Sequence, residues 1–279
     1  MSSKILCIYH GHCADGFAAA WVVRTFYDTQ PDCDVEFYPA KYDDDIPRID
    51  PAEDRHVLIV DFSYPVEQME RLALVASSVT VLDHHKTAQA ALEPLLANGT
   101  IQGEFDMTRS GAMMTWNHFF PGEDPPALLT HVQDRDLWEF NYHNTRAIMA
   151  AVFSYDFTFE NWDGLMSELP SRLEREGLAI DRANLKMIRD HIKLNAYSAI
   201  IGYVRVPVVN CPGAWASDAG HIMGANQPFA ASYTEVDGYR KYSLRSQPGC
   251  MDVSKIAEQY GGGGHKHAAG FTVAASRMR

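Results

Sequence analysis

The chain has 279 residues and a formal net charge of −12, from 36 acidic against 24 basic residues. Hydrophobic residues make up 46%, enough for a packed core, which argues against a disordered chain. No apolar stretch approaches the roughly 20 residues of a membrane-spanning helix. The basic face that grips long nucleic acid is missing on average, so a protein of this charge acting on phosphates needs another cation, and a carboxylate-bound metal is the usual one.

In chain order, "KILCIYH" (residues 4–10) reads as a buried strand, followed by the turn "GHCADG" and an alanine-rich helix, "FAAAWVVRTFY". A second strand is predicted around Val35 to Tyr38 and a third at "RHVLIVDFSY". The helix "VEQMERLALVA" then leads to a fourth strand in "SVTVLDHHKT". "SGAMMTWNHFF" and "PALLTHVQDRDLW" read as helices of the same domain, and residues 171–200 as one or two helices of mixed charge. From about Val204 come β-like runs ("VRVPVVNC", "FAASYTEVDG", "YRKYSLRS"), a short helix "DVSKIAEQY", the run "GGGGHKHAAGF" and a last strand, "FTVAA". Strands alternating with helices predict an α/β domain with a mostly parallel sheet flanked by helices, followed by a smaller α/β C-terminal domain. The five cysteines (Cys7, Cys13, Cys33, Cys211, Cys250) are scattered without a CxxC pair. The N-terminus carries one lysine and too short an apolar stretch for a secretory signal, and both features suit a reducing cytoplasm.

Ligands of such sheets sit beyond the carboxyl ends of the strands. His10, His12, Cys13 and Asp15 follow strand one, Asp61 ends strand three, and Asp83, His84 and His85 end strand four. Asp134 and Asp136 lie in "QDRDLW" at the end of a predicted helix. Taken singly, an aspartate in such a place is most often a turn or cap residue; four segments delivering such residues to one end of a sheet point to a site. Imidazole with carboxylate is a ligand set for Mn²⁺, Fe²⁺, Zn²⁺ or Co²⁺, and several carboxylates allow two ions ~3.5–4 Å apart. The four glycines before His265 read as an anion-binding nest or as a flexible linker. Arg245 suits phosphate, or an ordinary strand edge.

"VTVLDHHKT" followed by "GGGGHKHAAGF" resembles the DHH phosphoesterase superfamily with its C-terminal DHHA1 domain. "YHGHCADGFAAAW", "VDFSYP", "LDHHK", "VQDRDLW" and the glycine motif stand in the family's order over nearly the whole chain. The nearest likeness is to the bacterial oligoribonuclease-like and cyclic-nucleotide phosphodiesterase-like branch. The resemblance implies a catalytic domain over 1–184, a connecting helix over 185–203 and a substrate domain over 204–279, with the active site in a cleft between the domains. It implies two Mn²⁺ ions, with Zn²⁺, Fe²⁺ or Co²⁺ as alternatives. His10 and Asp61 would hold one ion; Asp15, Asp61, His84 and Asp134 would hold the other. His85 would face the scissile phosphate, Asp83 would orient its neighbours, and Gly262, Gly263, Gly264 and His265, helped by Arg245, would hold the substrate. One departure stands out: where the wider superfamily has D-x-D after the histidine, this chain has Cys13 and Asp15. A thiolate is softer than a carboxylate and favours Zn²⁺ or Fe²⁺; otherwise Cys13 is a spectator and the first metal site is weak, filled only with substrate, or helped by His12. Asp136 competes with Asp134.

The implied function is hydrolysis of short RNA or DNA oligonucleotides, or of linear or cyclic dinucleotides, by metal-activated water. The alternatives are a single-strand exonuclease, a pyrophosphatase of the same fold, and a nucleotide-binding protein with an impaired metal site. The expected partners are these substrates and a second copy of the chain as homodimer, and no membrane.

Overall fold

A computed structural model of the chain describes residues 3–11, 13–42 and 44–275. It divides into two compact units, Met1–Asp181 and Arg182–Arg279.

In the first unit, β1 (Ser3–His10), α1 (Ala14–Tyr27), β2 (Cys33–Ala40), β3 (Arg55–Val60), α2 (Val66–Val75), β4 (Ser78–Asp83), α3 (Lys86–Ala97) and β5 (Gln102–Phe105) follow one another. The helices α4 (Gly111–Phe119), α5 (Ala127–Asp136), α6 (Thr145–Val152) and α7 (Phe159–Ser167) complete it. The five strands form one parallel sheet in the order β2-β1-β3-β4-β5. Successive residues of a strand point to opposite faces, and both faces are buried here. Cys7, Tyr9, Leu58 and Val60 pack with apolar residues of α1, α4, α5 and α6. Leu6, Ile8, Val57 and Ile59 pack with Met69 and Leu72 of α2 and with Leu92 and Leu95 of α3. Burial on both sides is why these strands read as continuous apolar runs. From β1 the chain steps to β2 on one side and then to β3 on the other, so strand order reverses between β1 and β3. That reversal opens a crevice at the carboxyl ends, where His10 ends β1 and Asp61 directly follows β3.

The helix α8 (Pro170–Asn195) runs from the first unit into the second as one element. The second unit continues with β6 (Tyr197–Ile201), β7 (Val204–Asn210), α9 (Ala216–Gly224), β8 (Ala230–Val236), β9 (Tyr239–Arg245), α10 (Val253–Glu258), β10 (Gly263–Gly264) and β11 (Ala268–Ala274). Its sheet, β10-β11-β9-β8-β7-β6, is antiparallel except for the β7–β8 pair. Residues 185–203 are thus not one helix: the helix ends at Asn195, and Tyr197–Ile201 is an edge strand. The elements α3, α6, α7, β5, β6 and α9 were not anticipated from sequence. Most are short, and β5 has only four residues, too few to show a period. No helix among the described residues is long and apolar enough to cross a membrane.

Candidate metal centre

Asp61 sits immediately beyond β3 with φ 54°, a left-handed conformation that aspartate tolerates better than most residues. The residue is 1% exposed. One carboxylate oxygen, Oδ1, lies 3.1 Å from His84 Nε2, and the other, Oδ2, lies 3.5 Å from His10 Nδ1. The carboxylate therefore faces two imidazoles from two different strand ends. Asp15, in the first turn of α1, brings Oδ2 to 3.8 Å from the same His84 Nε2, and Asp136 brings Oδ2 to 3.5 Å. His10, Cys13 and Asp61 offer donor atoms within 4.8 Å of one another, and so do Asp15, His84 and Asp136.

The 83–85 triplet divides its work. Asp83 is fully buried, and its Oδ1 accepts from His84 N (2.8 Å), His85 N (3.3 Å) and His85 Nδ1 (2.6 Å). One carboxylate oxygen thus sets the backbone turn that presents both histidines and fixes which nitrogen of His85 carries the bonded proton.

Helix α4 backs the cluster. Ser110 caps it, accepting from Met113 N, and Ala112 N donates to Asp15 Oδ1 (3.2 Å). A Cβ on Gly111 would lie 2.4 Å from the Asp61 Cβ, so only glycine lets this helix end, with its partial positive charge, come so close. Gly111→Ala is expected to cost about 1–3 kcal/mol of stability through this clash, well above the ~1 kcal/mol that alanine gains in helix propensity. Urea denaturation measures it; unchanged stability would contradict the packing.

Crowded carboxylates disturb one another. Burial, then Asp61 and Asp136, push Asp15 well up from its ordinary value. Burial and Asp61 also raise Asp136, although His84 works against them. For Asp61 burial opposes ionisation, but His10 and His84 outweigh it and hold the carboxyl well below the usual range. Asp83 is lowered too: burial opposes it, and His85 prevails. His85 is raised, against burial, by Asp83. Against its burial penalty, His84 is pushed up to about 10, first by Asp61 and then by Asp136 and Asp15. A histidine that gains such partners on folding stabilises the metal-free protein fully below about pH 6.5, and this contribution is lost as pH rises through about 10. With metal stripped, the stability gap between the parent and His84→Gln is therefore expected to be widest near pH 6 and to close toward pH 10. A gap that widens with pH would refute the assignment.

Asp15 Oδ2, Asp61 Oδ2 and Asp83 Oδ2 are buried without a hydrogen-bond partner. Uncompensated buried carboxylate oxygens are costly, and a divalent cation among oxygen and imidazole donors removes that cost. The residues fit such an ion.

The sequence-predicted residues fare unequally. The geometry brings together His10, Cys13, Asp15, Asp61, Asp83, His84, His85 and Asp136. Asp134 is elsewhere: Oδ1 accepts from Asn141 N (2.7 Å), and Oδ2 from Tyr142 N (3.1 Å) and Thr145 Oγ1 (2.5 Å). Both its oxygens are committed to the loop after α5 and the start of α6, so the structure places Asp136, and not Asp134, beside His84. His12 lies outside the described residues. In the second unit, Arg245 donates to Leu244 O and to Ser217 Oγ, each at 2.9 Å. The glycine run is not an open nest. Gly261 (φ 79°) follows the end of α10, Gly262 N donates to Ala257 O, and Gly263 and Gly264 pair with Gly270 and Ala269. His265 N donates to Ala268 O, closing a tight hairpin. A Cβ on Gly262 would lie 2.0 Å from Gly270 O, so sheet packing alone demands glycine there. Sequence reasoning gave no role to Tyr42, which lies just past the end of β2. Its half-exposed ring stands edge-on to His10 (5.3 Å between centroids) and His85 (6.1 Å). Its position beyond a strand end, like that of the acidic residues, was the available signal.

The fold, a parallel sheet flanked by helices followed by a second mixed sheet, is the one expected from the sequence, and the order of motifs resembles that of the DHH phosphoesterases. No protein-family model matches the chain. An uncharacterized protein of Acanthamoeba polyphaga mimivirus is 28% identical over 287 aligned positions, 95% of this chain and 66% of that protein. Oligoribonuclease NrnB of Bacillus subtilis (strain 168) is 24% identical over 243 positions, 78% of this chain and 59% of that one. The chain thus spans less than two thirds of the length of these curated relatives. Among solved structures, an exopolyphosphatase-related protein from Bacteroides fragilis superposes with a TM-score of 0.58 at 14% identity, covering 97% of this chain and 86% of that one. RecJ of Thermus thermophilus, in complex with Mn²⁺, superposes at 0.50 with 14% identity, covering 99% of this chain and 50% of that one.

Proposed function

We propose that the chain is a metal-dependent phosphodiesterase of the cytoplasm that hydrolyses short oligonucleotides or linear or cyclic dinucleotides. The observation that carries this reading is the set of buried carboxylate oxygens without a hydrogen bond, Asp15 Oδ2 facing His84 and Asp61 Oδ2 facing His10, at the point where strand order reverses. Asp15, Asp61, His84 and Asp136 would hold one ion; His10 and the other oxygen of Asp61 would help to hold a second. The oxygen-rich group suits Mn²⁺, the ion in the RecJ complex. Such ions supply Lewis acidity that activates water and offsets charge building on phosphorus.

The chain's own groups do the rest. Asp83 keeps the proton on His85 Nδ1 and so orients the ring toward a phosphate oxygen. His265 and Arg245 bind the substrate's phosphate or terminal nucleotide, and Gly262 to Gly264 let their hairpin form. A net charge of −12 and the name of the Bacillus relative, an oligoribonuclease, favour short substrates over long ones.

The protein, stripped of metal and then given Mn²⁺, is offered pApA, longer RNA, cyclic dinucleotides, cyclic AMP and pyrophosphate. The expected result is Mn²⁺-dependent cleavage, faster on pApA than on longer RNA. No turnover of any substrate, with Asp61→Ala binding pApA as the parent does, would overturn the enzyme reading. Faster cleavage of long RNA would replace it by a single-strand exonuclease.

A further inference from the structure

The two donor groups around Asp61 are chemically unequal. Asp15, Asp61 and Asp136 with His84 give an oxygen-rich set, whereas His10 and Asp61 share their space with the sulfur of Cys13. Cys13 is also the N-cap residue of α1, a position where Ser, Thr, Asp or Asn normally satisfies the first backbone N–H groups. Its side chain makes no capping bond of normal geometry, although the Gly16 N–H faces the sulfur. Its donor atom lies within 4.8 Å of those of His10 and Asp61. An independent observation points the same way: Asp61 Oδ2, the oxygen on the His10 side, is buried without a hydrogen-bond partner. Four other cysteines stand elsewhere in the chain, none in such a group of donors among the described residues.

We infer that Cys13 is a thiolate ligand, and that His10, Cys13 and Asp61 form a soft subsite that prefers Zn²⁺, Fe²⁺ or Co²⁺ beside a harder, oxygen-rich neighbour. The inference rests on the metal-dependent reading above and goes beyond it by making the two ions of different kinds. Thiolate sulfur selects borderline and soft ions over Mn²⁺; burial and the carboxylates of Asp61, Asp136 and Asp15 push the free thiol well up, so it is the bound cation that would make the sulfur a thiolate. Binding replaces the S–H bond by an S–metal bond, and one proton leaves to solvent.

Cobalt reports thiolate ligation without any turnover. Metal-stripped protein titrated with Co²⁺ is expected to develop a near-ultraviolet sulfur-to-cobalt charge-transfer band. Cys13→Ser is expected to abolish the band while Co²⁺ still binds the other group, and Cys250→Ser to leave it intact. Serine is a good N-cap, so the variant should fold, which circular dichroism checks. Cys13→Asp is expected to shift the Zn²⁺-over-Mn²⁺ affinity ratio toward Mn²⁺ by about tenfold or more. Co²⁺ bound without the band, or a band that survives in Cys13→Ser, would overturn the inference and leave the metal centre standing. Failure to bind Co²⁺ at all would overturn both.

Discussion

Asp61→Asn is expected to cost about a thousandfold or more in turnover, the scale of losing a central electrostatic group, while leaving the fold intact. Asn has nearly the same volume and accepts the left-handed conformation at φ 54° as readily as Asp, so the backbone at the end of β3 has no reason to move. What disappears is the charge that both imidazoles face, with His84 Nε2 on one oxygen and His10 Nδ1 on the other. A neutral amide presents a donor where the second oxygen stood, toward a position that needs an acceptor. Metal affinity should fall along with turnover, and calorimetry with Mn²⁺ separates the two effects. A supporting residue such as Asp83 should cost less, about 10–100-fold in metal affinity when changed to Asn. If Asp61→Asn lost no more than Asp83→Asn, Asp61 would not be the shared centre of the site.

The second large effect is on stability and falls on Asp134. Replacing it by Ala removes the acceptor for Asn141 N, Tyr142 N and Thr145 Oγ1 at once. The loop it anchors holds Trp138 (φ 59°), Phe140 (φ 52°) and Asn144 (φ 57°) in the left-handed region, where each non-glycine residue costs roughly 1 kcal/mol. Thr145 Oγ1 also accepts from His131 Nδ1 (2.8 Å), so the break reaches the core side of α5. A destabilisation of about 3–5 kcal/mol follows from bonds to a charged group plus newly unsatisfied donors, a large share of a typical ~5–15 kcal/mol. Asp136→Asn should do the opposite: it relieves crowding among Asp15, Asp61 and Asp136, so the metal-free fold is kept while metal affinity drops. Denaturation and metal titration of both variants would expose an exchange of roles between these two aspartates.

Why the sequence left Asp134 and Asp136 undecided is a matter of helical phase. Two residues apart on a helix means about 200° of rotation, so only one of them can face the sheet ends. The information was present in part: Leu128 and Val132, both in the core against α1, precede Asp136 at intervals of four, and Asp136 continues that stripe. The partners of Asp134 lie seven to eleven residues downstream, in a loop and at the first residue of α6, where no period announces them. Strand ends were easier to read. An apolar run that is buried on both faces must stop at a polar residue, and in a parallel sheet all such stops fall on one side. That is why His10, Asp61 and Asp83 were legible as a group. The glycine run stayed open for a related reason: "GGGG" signals backbone freedom or close approach without saying which. Here the close approach of Gly262 to Gly270 O and the β10–β11 pairing account for the glycines at 262 to 264.

The central claim is that Asp15, Asp61, His84 and Asp136 surround a divalent ion. Crystals of metal-stripped protein soaked in Mn²⁺, with diffraction recorded at the manganese absorption edge, test it most directly. The account predicts an anomalous peak ligated by these four residues. A peak ligated by Asp134, or no peak at the ends of β3 and β4, would contradict it.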